Sequence, residues 1–501
     1  MRIVPALLGA LALAGAVAAL TYRSPPGAAP QPEAAAPAPV DLGPEIAAFY
    51  RDRGFQPLWV SGSALRPEAH QLLRILERSP WLTRELLAAV RAAGDGDPHR
   101  LTRADLLLTQ AYVDYFRHHL RPPRQREMRY IDAGLAPEEP SATQLLEEAA
   151  QAPSLAAHLQ ALERINPVYD GLRRGLAAYR SRWSALPQAA LPAAPSPALL
   201  RRRLGLAAGA PDHEVAAVLR EFQAVHGLGQ SGRADPPTLA ALNAGARHFE
   251  QLIEANLERA RAIPPRPDGR YILVDTASAR LWMVEDGRLT GSMRVVVGKP
   301  AMATPAMAGL VRYAVLNPYW NLPPDLVRER ARSVVRRGPG ALAAERLEIL
   351  SDWTPQARPL SAAAVDWRGV AAGRRYVNLR QRPGPRNMMG AIKFMMPNDI
   401  GIYLHDTPFR ELFARADRRL SSGCVRLQDA PRLAHWLFRG RVPHPSGAPE
   451  QRADLPEAVP VYIAYLTALP SRGSVVFASD AYRRDQALLA QLARVESARR
   501  P

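Results

Sequence analysis

At Tyr271 the hydrophobic pattern of this chain changes period, and that change limits what it can fold into. Before it, apolar residues recur at helical spacing. Ile46, Phe49 and Tyr50 share a face, as do Leu106, Tyr112, Val113 and Phe116, and then Tyr169, Leu172, Leu176 and Tyr179. After it they alternate. Tyr271-Ile-Leu-Val-Asp275 and Arg280-Leu-Trp-Met-Val-Glu285 read as strands, and Asp286-Gly287 turns the second into a third that ends at Gly298. A 3.6-residue period and a two-residue period bury different faces, so the two regions need separate cores. The expected fold class is multidomain α+β, and 501 residues also exceed one compact domain.

Residues 1–22 begin with Arg2 and run apolar from Ile3 to Leu20. This pattern reads as a signal peptide, with Ala16-Val-Ala18 as cleavage site, or as an N-terminal anchor in the inner membrane. Residues 23–41 are a Pro/Ala linker. A helical scaffold is expected over 42–186, with Thr102 capping a helix and Asp105 three residues on. Residues 187–198 read as a second linker. Over 199–245, Val215, Val218, Leu219 and Phe222 lead into Gln223, His226, Gly227, Gly232, Thr238 and Leu242. This describes two amphipathic helices joined by a glycine-bearing turn. A connecting helix over 246–265 stops at Pro264-Pro265. The last domain, 268–490, is mainly β, with further strands expected at 376–379, 392–396 and 400–404. The stretches 459–466 and 474–477 suit closing strands or helix. The strand pattern breaks over about 324–374, a helical insertion of about fifty residues read as a lid.

The net charge is +18, and Lys299 and Lys393 are the only lysines. The arginines are spread along the chain rather than gathered into a stripe, which argues against nucleic acid as partner. A diffuse positive field suits acidic polymers or an anionic membrane surface. Cys424 is the only cysteine, so no intramolecular disulfide forms. The histidines show no metal-ligand spacing, and neither metal nor cofactor is expected.

Cys424 lies in Ser421-Ser422-Gly423-Cys424, nineteen residues after His405, which ends the strand-like run 400–404. A thiolate is the reactive form of cysteine, so a nucleophilic Cys424 needs a base, and His405 is the candidate. Gly423 allows close backbone approach, and the amides of Gly423 and Cys424 suit an oxyanion hole. Arg426 suits a substrate carboxylate or support of the loop.

These residues carry a resemblance. His405 and Ser421-Ser-Gly-Cys-Val-Arg426 resemble the L,D-transpeptidase (YkuD-type) signature of a histidine followed by [Ser/Thr]-x-Gly-Cys, an apolar residue and Arg or Asn. Asn317-Pro-Tyr-Trp320, Leu379-Arg-Gln-Arg-Pro-Gly384, Asn387, Lys393-Phe394 and Tyr403-Leu-His-Asp-Thr-Pro408 extend it. The likeness is to the large branch, with helical scaffold, a three-helix peptidoglycan-binding module (here 199–245) and a lidded catalytic domain. Many members have histidine where this chain has Ser422.

The resemblance implies that Cys424 attacks a stem tetrapeptide, releases D-alanine and passes the acyl group to a second stem as a 3→3 cross-link. It implies His405 as base, with its Nδ1 held by a backbone carbonyl near Asp406. Gly423, Ser422, Asp406 and Arg426 become oxyanion or support residues, and Tyr403 and Ser421 substrate contacts. The partners implied are peptidoglycan stem peptides and cell-wall synthases, in the periplasm. Two rivals stand beside this reading: an L,D-carboxypeptidase using water as acceptor, and an inactive wall-binding protein.

Overall fold

The computed structural model describes residues 40–497 apart from 78, 125–126, 266–268 and 355. The expected signal or anchor (1–22) and nearly all of the first linker lie outside these. Among the described residues no helix is long and apolar enough to cross a membrane. Contacts divide the chain into two compact units. One comprises the residues up to 122 with 137–165; the other comprises 123–136 with 166 onward.

The first unit is helical. It contains α1 (Pro44–Asp52) and α2 (Pro98–Leu120). The start of α2 departs from the sequence expectation. Pro98 fixes the first helical φ, and the Asp97 side chain accepts from Arg100 N, so the cap lies five residues before Thr102. Thr102 instead donates to Pro98 O at 2.8 Å. Asp105 is 1% exposed and does other work. Its carboxylate accepts from the Tyr50 hydroxyl and from Trp59 N at 2.6 Å, while Thr109 takes the Trp59 indole N–H at 2.9 Å. Burial pushes the Asp105 carboxyl up to about 6. That folded-state value exceeds the unfolded one near 4, so the penalty for ionising Asp105 grows as pH rises through about 4 to 6 and is absent below. Asp105→Ala orphans the buried Trp59 amide and leaves the Tyr50 hydroxyl only Thr109 at 2.7 Å, and is expected to cost this unit about 2 kcal/mol, measurable by urea denaturation.

In the second unit, α3 (Pro167–Tyr179) packs with α4 (Asp212–Val225) and α5 (Pro236–Ala260) around one core that holds Leu172, Tyr179, Phe222, Leu242 and Ile253. Residues 166–186, expected in the scaffold, therefore group here. Residues 187–198 are not an open linker: Leu191 is buried and exchanges two 2.8 Å hydrogen bonds with the Asn243 side chain. The helix α5 breaks at Gly245 (φ 79°, ψ 156°), where the sequence reading ended its module. The module does not stand apart. His226 stacks between Phe222 and Phe477, and its Nε2 meets the Tyr179 hydroxyl at 3.0 Å.

The β-rich part begins with β1 (Arg270–Asp275), β2 (Arg280–Glu285), β3 (Arg288–Gly298) and β4 (Met307–Leu316). Then come β5 (Trp320–Asn321), β6 (Leu347–Leu350), β7 (Pro359–Leu360) and β8 (Asn378–Gln381). The chain finishes the sheet with β9 (Ile392–Met395), β10 (Leu404–His405), β11 (Val425–Leu427) and β12 (Gln451–Ala464). The order is β9-β10-β11-β3-β2-β1-β12-β4, and β9 also pairs with β4, so the sheet closes on itself. Closure removes the exposed edges. Alternation sends Val274, Leu281, Val295, Phe394, Leu404, Val425 and Leu427 into one core with Leu433 and Leu437 of the helix that follows β11.

The expected strand 400–404 is shorter than the apolar run. Asn398 turns the chain by accepting from Ile402 N at 3.0 Å and donating to Ile402 O at 2.7 Å, so only Leu404–His405 pairs. Of the stretch 459–466, the part up to Ala464 is strand, as is 474–477. The insertion carries more than helix. Besides α6 (Pro324–Arg337) it contributes to a separate antiparallel sheet, β7-β6-β8-β5, over a core of its own that includes Leu322, Val327, Ile349 and Leu379. Its inbound strand β5 and outbound strand β8 pair directly, Asn321 opposite Arg380. The helix α7 (Ala430–Leu437) follows β11.

Candidate active site

The same alternation that buries Leu404 and Val425 turns Tyr403, His405, Cys424 and Arg426 outward. The strands β10 and β11 run parallel with Leu404 opposite Val425 and His405 opposite Arg426. On the other side of β10, Lys393 of β9 stands opposite His405. A one-residue slip would put His405 in the barrel core, so the packing of Leu404 and Phe394 fixes the chemistry's register. These outward side chains line a cavity of about 600 Å³ whose far wall comes from Trp320, Leu322, Leu326 and Met388 of the insertion and its borders.

His405 is 2% exposed, and its Nδ1 donates to Asp406 O at 2.5 Å, which leaves Nε2 as the free nitrogen of the neutral ring. Burial first, then the Arg426 charge, pushes the imidazole down to about 3, with Lys393 adding a smaller push. The ring is neutral across the physiological range. The Asp406 carboxylate faces away from this chemistry. It accepts from Ala391 N at 2.9 Å and Arg410 Nη2 at 2.6 Å, and so braces the strand ends.

Cys424 is half-buried. Burial pushes its thiol up; hydrogen bonding by Tyr403 and the Arg426 charge oppose that. The Sγ also lies 3.5 Å from Gly401 O. Burial raises the Tyr403 phenol too, and the thiol beside it raises it further. Tyr403 is therefore the thiol's hydrogen-bonding neighbour, as well as a ring 5.7 Å from that of His405. Among the described residues no acid pairs with Arg426, and its buried Nε has no partner. Lys393, by contrast, pairs with Glu450 at 3.1 Å. The resting state is thus a neutral thiol and a neutral imidazole lining one cavity, with one unspent cation at its wall.

The loop geometry revises two expectations. The Ser421 hydroxyl donates to Cys424 O at 2.6 Å and accepts from Gly423 N at 3.1 Å. Ser421 is a loop brace, and the Gly423 amide is already satisfied rather than waiting for an oxyanion. Gly423 is needed for its backbone: φ is +122°, a conformation that L side chains rarely adopt. Ser422 is exposed at the cavity. Sequence reasoning missed Thr304. It is fully buried, its hydroxyl donates to Gly423 O at 2.6 Å, and it accepts from Gly298 N at 2.8 Å. Only the folded barrel brings residue 304 to residue 423. Lys393, one of two lysines in the chain, stands at the cavity wall. Thr304→Val leaves the strained loop unanchored and is expected to lower kcat about tenfold, whereas Thr304→Ser keeps the bond and the rate.

Residues 269–462 match the family model of the L,D-transpeptidase catalytic domain, YkuD. Over that stretch the chain is similar to an L,D-transpeptidase catalytic domain. Residues 44–176 match the model of the Scaffold domain. A Haemophilus influenzae protein with a provisional L,D-transpeptidase name is 32% identical over 251 residues, which cover 48% of this chain and 49% of that protein. The chain thus spans about half the length of this curated relative. Solved L,D-transpeptidases are more distant. One from Mycobacterium smegmatis is 14% identical, covering 39% of this chain and 58% of its own, with a TM-score of 0.20. One from Stackebrandtia nassauensis is also 14% identical, covering 60% and 92%, again with a TM-score of 0.20. Scores that low carry no argument. In the matched stretch, His405, Ser421, Ser422, Cys424 and Arg426 of the sequence signature line the cavity, while Val425 turns into the barrel core.

Proposed function

We propose that the chain is a cysteine acyltransferase that cross-links peptidoglycan stem peptides. The observation that carries this reading is the shared outward face of β10 and β11, where Cys424, Tyr403, His405 and the unpaired Arg426 meet in one cavity. In the first step His405 Nε2 takes the thiol proton as Sγ bonds to the carbonyl carbon at position three of a tetrapeptide. The C–N bond to the terminal D-alanine breaks, and the imidazolium gives its proton to the departing amine. In the second step the side-chain amine of another stem attacks the thioester. The C–S bond breaks, and the amine's proton returns through His405 to sulfur. Arg426 suits a stem carboxylate by its charge and its free donors. Water in place of the amine gives carboxypeptidase chemistry with the same residues.

The reading requires export, since stem peptides lie outside the cytoplasmic membrane, and the composition of residues 1–22 supports it. Cell-wall synthases are the expected partners, and the insertion is assigned the lid's part. Mass analysis of purified tetrapeptide muropeptides incubated with the protein tests the proposal. Cross-linked dimers with D-alanine release support it; D-alanine release with tripeptide alone makes the protein a carboxypeptidase.

A further inference from the structure

Two aromatic rings at the cavity are left in solvent by the fold. Trp353 is 45% exposed and Tyr376 57%, and both border the cavity. Trp353 belongs to the insertion and Tyr376 to its outgoing border, and the insertion's sheet brings the two segments together. The strands β6 and β8 pair with Leu350 opposite Asn378, so the chain leaving β6 and the chain arriving at β8 lie side by side at one end of the sheet. Trp353 sits at the apex of a tight turn there. The Asp352 carboxylate accepts from Thr354 N at 2.7 Å and from Ser351 Oγ at 2.8 Å, which closes the turn with polar bonds alone and holds the indole outside the core. Val377, next to Tyr376, is buried in that core and anchors the strand from which the phenol projects. Among the described residues neither ring stacks on another ring or a cation. A large exposed apolar surface that the fold positions but does not cover is the mark of a contact surface.

The substrate's own geometry says what reaches it. The acyl carbon must meet Cys424, and the stem's carboxylates are drawn to Arg426 on the cavity wall. The peptide's other end is tied to a sugar, so the sugar end leaves through the mouth. Three stem residues at roughly 3.3–3.6 Å each carry it about 10 Å from the thiol, to the scale of the rim. A pyranose ring presents a face of C–H bonds that packs on an aromatic ring, and its hydroxyls bond to polar groups. Asp352, next to Trp353, and Asn378, two residues after Tyr376, supply polar groups at this end of the sheet.

We propose that Trp353 and Tyr376 form a saccharide subsite that holds the amino-sugar chain attached to the donor stem. The proposal rests on the acyl-transfer reading for its substrate, but its first test involves no chemistry. Cys424→Ala protein is mixed with a peptide-free β-1,4-linked N-acetylglucosamine tetramer and followed by saturation-transfer NMR. Saturation of ring C–H protons is expected, and is lost when Trp353→Ala and Tyr376→Ala are added. Absence of saturation in the parent, or its persistence in the triple variant, overturns the subsite.

The second test compares kinetics on disaccharide-tetrapeptide and on the sugar-free tetrapeptide. The aromatic double variant is expected to lose about tenfold in kcat/KM on the first through KM, with less than a twofold change on the second. Trp353→Phe with Tyr376→Phe keeps ring faces and should restore most of the loss. Equal loss on both substrates assigns the rings to the peptide or the fold and overturns the proposal. If the wild type turns over neither substrate, the acyl-transfer reading fails, and the NMR arm still decides the subsite.

Discussion

Cys424→Ala is expected to abolish both D-alanine release and dimer formation, a fall of about ten-thousand-fold or more. No other cysteine can substitute, and Ser422 beside it is exposed but outside the hydrogen-bonding pair that Tyr403 makes with the thiol. The fold should survive. The side chain loses one sulfur at a half-buried wall, and the loop's braces, Ser421 to Cys424 O and Thr304 to Gly423 O, use backbone acceptors that remain. Circular dichroism should therefore overlay that of the wild type. Residual cross-linking at wild-type rates would end the acyl-enzyme reading. The raised thiol pKa adds an independent check. Alkylation of Cys424 by iodoacetamide should be slow at pH 7 and accelerate above pH 9, later than for a free thiol, because burial penalises the thiolate.

His405→Gln is expected to cost about a thousandfold in kcat, within the range for loss of a general base. Its pH behaviour separates a base from a merely packed ring. The imidazole is held to about 3, so kcat/KM for the wild type should not fall between pH 7 and pH 5 as it would for an ordinary histidine. Stability moves differently. In the unfolded chain the imidazole takes a proton below about pH 6.5. In the folded chain it does so only near 3, so the unfolded state binds more protons between those values. Stability then falls as pH drops through that window, at up to about 1.4 kcal/mol per pH unit. His405→Gln removes this contribution, so the variant's melting temperature should depend less on pH between 6.5 and 4. A rate profile with an acid limb near 6.5 would contradict the burial and the two flanking cations.

The candidate site was legible because it is written in neighbouring letters. Cys424, Gly423 and Arg426 sit within three positions, and alternation through Tyr403 and His405 marks one face of a strand. The period change at Tyr271 likewise announced the sheet. What escaped depended on contacts far apart in sequence. Thr304 meets Gly423 only through β3 and its following loop, and Asp105 reads as a helix-start residue until Tyr50 and Trp59 close over it. The Pro/Ala segment 187–198 looked like a tether because composition does not reveal that Asn243 clamps Leu191. The Gly423 half of the oxyanion expectation gives way for a related reason: the Ser421 hydroxyl is taken up inside its own turn, where it accepts from the Gly423 amide.

The neck between β5 and β8 has a consequence for how such a chain can change. Asn321 and Arg380 face each other across an antiparallel pair, so the 58 residues between them begin and end at adjacent points. A short hairpin turn would bridge that gap. The segment also carries its own apolar centre, so its removal uncovers one wall of the cavity without opening the barrel's interior. The wall facing the substrate can thus be exchanged as a cassette, gaining or losing reach toward larger ligands, while the strands bearing Cys424 and His405 stay in register.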